Sequence, residues 1–243
     1  MKLLLLAGTA EARTLAARLS GDPRFSVIAS LAGETRRPQS LAVPVRVGGF
    51  GGAAAQEKFM SDEGIEVVVD ATHPFAAEIS ARTQAICARR GMAYLQLLRP
   101  GWQPGAGDSW CFVDREEDVA AALPEGAAVF LATGPKRLDR FTGLAAHRVF
   151  CRRIDPAEAP FPLPRGDWVT GRPPFSVADE IALFRRLGIG ALVVKDAGGA
   201  TDAKLHAARA LGLPVVLIRR PTPPPGDKAE TVDAALDWLE PRL

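Results

Sequence analysis

Long apolar runs, cysteine pairs and a strong charge of either sign are all missing from this chain of 243 residues. No apolar stretch approaches the roughly 18 residues of a membrane-spanning helix. The opening run, Leu3 to Leu6 with Ala7, is also shorter than the about 7–15 residues of a secretory signal core. Glu11 and Arg13 follow it at once. The three cysteines, Cys87, Cys111 and Cys151, are odd in number, widely spaced and include no Cys-x-x-Cys pair. This argues against a disulfide framework or a cysteine-held zinc, and for a reducing, cytoplasmic setting. A net charge of +2, evenly spread, leaves no footprint for nucleic acid. No Gly-Lys dipeptide marks a phosphate loop, no His-Glu-x-x-His marks a hydrolytic zinc, and no Gly-x-Ser-x-Gly marks a nucleophile elbow. We therefore expect no metal, no membrane and no nucleic-acid partner.

What the chain has is alternation. Short apolar runs at Lys2–Leu6, Phe25–Ser30, Val43–Val47, Val67–Asp70 and Tyr94–Leu98 read as strands, as do Ala128–Ala132, Arg148–Arg152, Ala191–Lys195 and Pro214–Ile218. Helical patterns lie between most of them, most clearly at Glu11–Leu19, Pro74–Arg89, Ser176–Leu187, Asp202–Leu211 and Ala229–Leu239. Near-continuous Val, Ile and Leu strands alternating with helices predict an α/β fold on parallel sheets. Proline and glycine crowd Leu98–Trp110, which reads as a linker between two halves, residues 1–100 and 101–243. Asp155–Arg165 reads as a proline-rich loop, and Pro221–Lys228 as a surface connector to the last helix.

In such folds ligands sit beyond the carboxyl ends of the strands. After the first strand come Gly8, Thr9, Ala10 and Glu11, a turn whose glycine and helix amides suit a phosphate or simply close a strand–helix corner. After the second come Ser30, Gly33, Arg36 and Arg37. No acidic residue ends that strand, so a ribose 2′-phosphate is preferred to a 2′-hydroxyl there, unless the arginines are a solvated pair. Gly49–Ala54 matches Gly-x-Gly-x-x-Ala but follows the third strand, and reads as a flexible turn bordering the site. After the fourth come Asp70, Thr72, His73, Pro74 and Phe75. Pro74 suits a first helical position, with Thr72 or His73 as cap. Phe75, Ile79 and Ile86 fall on one face. His73 is either a ligand contact or a capping imidazole, and His147 and His206 read as surface residues.

The segments LLLLAGTAEAR, VRVGGFGG, VVVDATHPFAAEIS, VFLATGPKRL, PFSVADEIALF and LVVKDAGGATDAKLHAARALGLPVVLIRRP together resemble the precorrin-6A reductase family of cobalamin biosynthesis. The resemblance implies two Rossmann-like domains with NADPH in a cleft between them. It implies hydride transfer to a ring double bond of precorrin-6A, giving precorrin-6B. A cobalt-containing version of the substrate serves a second, anaerobic branch, and these motifs do not separate the two. The family's cofactor loops fall on Gly8, Thr9, Ala10 and Glu11, on Ser30 to Arg36 with Gly33, on Thr72, His73 and Pro74, and on Thr133 and Gly134. Its substrate motifs fall on Phe175 and Ser176 and on Lys195, Asp196, Gly198 and Gly199. The chain departs from the family at Gly171–Ser176, where a glycine is displaced, and at Ala197, where a serine is usual.

A flat tetrapyrrole bearing many carboxylates needs cations, and the second half supplies Lys136, Arg137, Arg152, Arg153, Arg172 and Lys195. Lys195 ends an apolar strand and is the leading candidate to hold or polarise the substrate, with Lys204 less certain. A proton must also reach the ring, from Lys195, His73 or water. Two alternatives remain: a reductase of another polyanion, or a sensor that holds NADP(H) without turnover. The expected state is a monomer.

Overall fold

The computed structural model describes residues 1–33 and 40–242. The first stretch of chain forms β1 (Lys2–Leu6), α1 (Ala10–Leu19), β2 (Ser26–Leu31), β3 (Val45–Val47), α2 (Ala53–Asp62), β4 (Val67–Asp70), α3 (Ala77–Arg90) and β5 (Ala93–Leu97). There follow β6 (Ser109–Val113), β7 (Ala128–Leu131), β8 (Arg148–Arg153), β9 (Gly166–Thr170), α4 (Val177–Leu187), β10 (Ala191–Lys195), α5 (Ala203–Ala210), β11 (Pro214–Ile218), β12 (Asp227–Ala229) and α6 (Val232–Leu239). Short 3-10 turns take the place of helices between β6 and β8. None of the described helices is long and apolar enough to cross a membrane.

Two parallel sheets of six strands result, ordered β12-β5-β4-β1-β2-β3 and β6-β11-β10-β7-β8-β9. The four leucines of β1 explain why such sheets form. Leu3 and Leu5 pack into one apolar cluster with α1 and α6, and Leu4 and Leu6 pack into another on the opposite face. Side chains alternate across a strand, so only a strand covered on both faces rewards an unbroken apolar run.

The chain divides into two compact units, Met1–Pro100 with Pro221–Leu243, and Gly101–Arg220. The expected second domain, 101–243, is therefore corrected at its end. The Pro221–Lys228 segment is more than a connector. Asp227–Ala229 pairs in parallel with Leu95–Leu97, and the Leu98 amide donates to the Ala229 carbonyl at 2.8 Å. Ala235 and Leu239 of α6 are fully buried in the first unit. A three-residue strand reading Asp-Lys-Ala carries no apolar periodicity, so only its pairing reveals it.

Other local readings also shift. Gly52 caps α2 with φ 111°, so Gly49–Ala54 ends in a helix start rather than a free turn. Pro74 and Phe75 form a turn, and α3 begins at Ala77, capped at Ala76 without a side-chain bond. Phe75 stacks on the His73 ring, centroids 5.8 Å apart, and does not join Ile79 and Ile86 on a helix face. Trp110, expected in the linker, lies within β6, which pairs with β11. His147 is buried rather than on the surface, with Nδ1 3.0 Å from the Ala127 carbonyl. His206 is exposed, 3.4 Å from Asp202.

Candidate active site

Parallel register brings the sequence-predicted turns of the first unit to one edge. Leu6 pairs with Ser30 on one side and with Asp70 on the other, and Asp70 pairs with Gln96. Beyond that edge Gly8 takes φ 152°, and nothing lies within 4 Å of where a Cβ would sit. Thr9 caps α1: its hydroxyl oxygen accepts from the Ala12 amide at 3.2 Å and its proton goes to the Ala71 carbonyl at 2.8 Å. One hydroxyl thus closes the helix start and ties two strand ends together. Ala10 is exposed at the helix start. Glu11 meets Arg99 at 2.7 Å in a partly buried ion pair.

Ser30 is buried and accepts from Arg46 Nη1 at 2.8 Å. Arg46 also donates to the carbonyls of Gly48 and Gly49, at 2.9 and 3.1 Å, and lies 3.9 Å over the Phe50 ring. Burial lowers its pKa from the ordinary value. Gly33 is exposed with φ 80°, while Arg36 and Arg37 lie outside the described residues. Sequence reasoning passed over Arg46. Its only signal is the register Ser30↔Arg46 across β2 and β3, which no local pattern encodes.

The Asp70-Ala-Thr-His turn is held from below. Asp70, 1 % exposed, accepts from the Tyr94 hydroxyl at 2.9 Å, from the Thr72 amide at 3.0 Å and from the Thr72 hydroxyl at 2.7 Å. Burial first, then the Asp70 charge, pushes the Tyr94 phenol far above its ordinary pKa. His73 is exposed, and its Nδ1 accepts from the Phe75 amide at 3.3 Å.

In the second unit the other predicted residues lie at or after the carboxyl ends of β7, β9 and β10. Thr133 and Gly134 follow β7, Gly134 with φ 78°, and exposed Lys136 comes next. Arg137 is the one non-glycine with positive φ among the described residues. Lys195 ends β10, beside Ile218. Gly198 and Gly199, φ 64° and 75°, then turn the chain. The Asp196 carboxylate accepts from the Trp102 amide at 3.0 Å, and Trp102 Nε1 donates to the Gly199 carbonyl at 2.9 Å. Asp196 thus anchors the chain at Trp102, a structural task beside the expected substrate contact. Ser176 is similarly engaged, in a capping box with Asp179 at the start of α4. Arg172 meets Asp155 at 3.2 Å.

Two cations named from the sequence have partners that the sequence did not show, Glu180 and Trp102. Arg152 and buried Glu180 form a bidentate pair at 2.5 and 2.7 Å. The Arg152 guanidinium lies 4.8 Å from the Phe130 ring and 4.1 Å from that of Phe175. Lys204, in the first turn of α5, donates to the Thr201 carbonyl and sits 5.0 Å over the Trp102 ring. Burial lowers its pKa to about 8; Arg152 acts in the same sense, and Glu180 and Asp202 oppose it. A cavity of about 300 Å³ opens nearby at Phe112, Asp196, Arg219 and Arg220. A larger one, about 590 Å³, lies over Pro160–Trp168, away from these strand ends.

The model of the precorrin-6x reductase CbiJ/CobK family matches residues 2–240. The chain belongs to that family. It is 44 % identical over 240 residues to a precorrin-6A reductase of Rhodobacter capsulatus, covering 98 % of this chain and 95 % of that one. A precorrin-6A reductase of Rhodococcus erythropolis is 43 % identical, covering 98 % and 97 %. A cobalt-precorrin-6A reductase of Priestia megaterium is 30 % identical, covering 90 % of each. A solved CobK precorrin-6A reductase superposes with a TM-score of 0.94 at 43 % identity, over 99 % of this chain and 96 % of that one. The family match thus spans both units.

Proposed function

We propose that this protein reduces a ring double bond of precorrin-6A to give precorrin-6B, with NADPH as the hydride source. The observation that carries the nucleotide part is the carboxyl edge of the first sheet. Gly8 leaves open space before a capped helix start, where a pyrophosphate fits without steric conflict. Arg46 fills an acceptor site on Ser30, so the hydroxyl keeps one proton to give, and no carboxylate ends β2. That chemistry suits a 2′-phosphate better than a 2′-hydroxyl. NADPH, when bound, supplies the hydride. Gly8, Thr9, Ala10 and Glu11 hold the pyrophosphate in this reading. Ser30, Gly33 and Arg36 hold the 2′-phosphate side, while Thr72, His73 and Pro74 border the cofactor.

In the second unit Lys136, Arg172 and Lys195 meet the substrate's carboxylates, and Phe175, Ser176, Asp196, Gly198 and Gly199 shape the surface around them. The precorrin-6A reading is favoured over the cobalt-bearing substrate because the relatives named for the metal-free compound are the more similar ones. The test is a titration with NADPH and NADH, repeated on Arg36→Ala, followed by turnover with precorrin-6A. We expect at least a tenfold preference for NADPH, about 1.4 kcal/mol, lost in the variant, and one NADPH consumed per precorrin-6A. Equal binding of the two nucleotides, or no consumption with precorrin-6A, would overturn the reading.

A further inference from the structure

Reduction of a carbon–carbon double bond needs a hydride at one carbon and a proton at its neighbour. We propose that Lys204 is the general acid that supplies this proton, an inference that rests on the reductase reading above. Its place in the fold is unfavourable for a cation. It stands in the first turn of α5, where the helix dipole and the unmet amides repel positive charge. It is half-buried, and it feels the Arg152 guanidinium across from α5. Glu180 of α4 and Asp202 at the foot of its own helix act to keep the charge, as do the Trp102 ring face and the Thr201 carbonyl. Glu180 is itself committed to Arg152 by two hydrogen bonds.

Position agrees with this role. Lys204 follows the Gly198-Gly199 turn at the carboxyl end of β10, and both of its fixed neighbours belong to that turn's scaffold. Trp102 is bonded to Asp196 and Gly199, and the Thr201 carbonyl accepts from Nζ. An ammonium held this way sits at the strand end where the substrate's ring is expected, with an apolar indole on one side. The ammonium of Lys204 gives its proton to the ring carbon next to the one that takes the hydride. The C=C π bond is spent on two new C–H bonds, NADPH is oxidised to NADP⁺, and water reprotonates the neutral amine. A general acid with a pKa near working pH combines a large protonated fraction with a strong drive to give the proton. His73 offers no comparable setting: it is exposed and its Nδ1 accepts from the Phe75 amide.

Two measurements test this. In single turnovers of precorrin-6A by the NADPH-loaded protein, the rate should fall as pH rises above about 8, as the acid loses its proton. Lys204→Arg keeps the charge and any carboxylate contact but cannot give a proton near neutrality. Its rate should drop about 100-fold or more, with NADPH and precorrin-6A affinities unchanged. On the protein without ligands, pH-dependent acetylation read by peptide mass spectrometry should show half-maximal reactivity of Lys204 near pH 8. A model lysine peptide added to the same solution marks the ordinary lysine value of about 10.4. A Lys204→Arg variant with wild-type rate and pH limb, or a Lys204 that acetylates in step with the model peptide, overturns the assignment. A wild-type protein that oxidises no NADPH with precorrin-6A instead overturns the reductase reading, and the acid falls with it.

Discussion

Tyr94 is the chain's only tyrosine, and it spends its hydroxyl on Asp70 beneath the Thr72–His73 turn. Its folded pKa is raised by burial and by the Asp70 charge, so the unfolded chain gives up the phenolic proton first. The stability tied to this group is therefore full below about pH 10, the ordinary tyrosine value, and drains away as pH climbs above it. We expect no phenolate absorbance from the folded protein at pH 10. A normal tyrosine titration there would refute the buried bond. Tyr94→Phe removes one donor to a carboxylate, at a cost of about 1.5–3 kcal/mol in a denaturant melt. The cysteines agree with their sparse placing in the sequence: Cys87 and Cys151 are buried, with thiols pushed up to about 12, and Cys111 is exposed. At this scale the sequence displays which residues end strands but not what holds them. Thr9, Ser30 and Asp70 were legible as strand-end residues. Arg46, and the contact of Lys204 with Trp102, were not, because the partners lie elsewhere in the chain.

Elements formed by local rules were legible. Lys2–Leu6, Val67–Asp70, Ala191–Lys195 and Pro214–Ile218 are strands with the expected bounds, since unbroken apolar runs admit little else in a parallel sheet. Ser176 caps α4 through a complete capping box, a signal written in four residues. Where the next element decides, the reading slipped: α3 starts three residues later than Pro74 suggested. The pair linking β8 to α4 belongs to this scale. Arg152 and Glu180 are both largely buried, with side-chain exposures of 12 % and 2 %. Arg152 Nε has no partner among the described residues. Glu180→Ala strands that guanidinium, and we expect a loss of about 3–5 kcal/mol in the unfolding free energy. Replacing both partners by apolar residues of similar volume should recover most of it in the same melt. Equal losses in the single and double variants would mean that the pair is not the cause.

The whole chain does not run as two consecutive domains. After β11 it leaves the second unit and adds β12 and α6 to the first. A chain ended at Arg220 keeps all six strands of the second sheet but strips the first of an edge strand and of the fully buried Ala235 and Leu239. We expect limited proteolysis of that truncation to cut the first unit freely and leave 101–220 protected. Digestion spread evenly over both units would contradict this division. The sequence by itself determined the α/β class, the positions of nine strands and the turns that follow them. Periodicity, propensity and capping act over a few residues, and each of these features is that local. Only the tertiary structure decided that Asp227–Ala229 joins Leu95–Leu97, that Arg46 reaches Ser30, and that Lys204 comes to lie over Trp102. A short polar strand bonds through its backbone to whichever sheet edge is open. A buried cation takes its character from neighbours a hundred residues away, as Lys204 does from Trp102, so neither is written in its own stretch of chain.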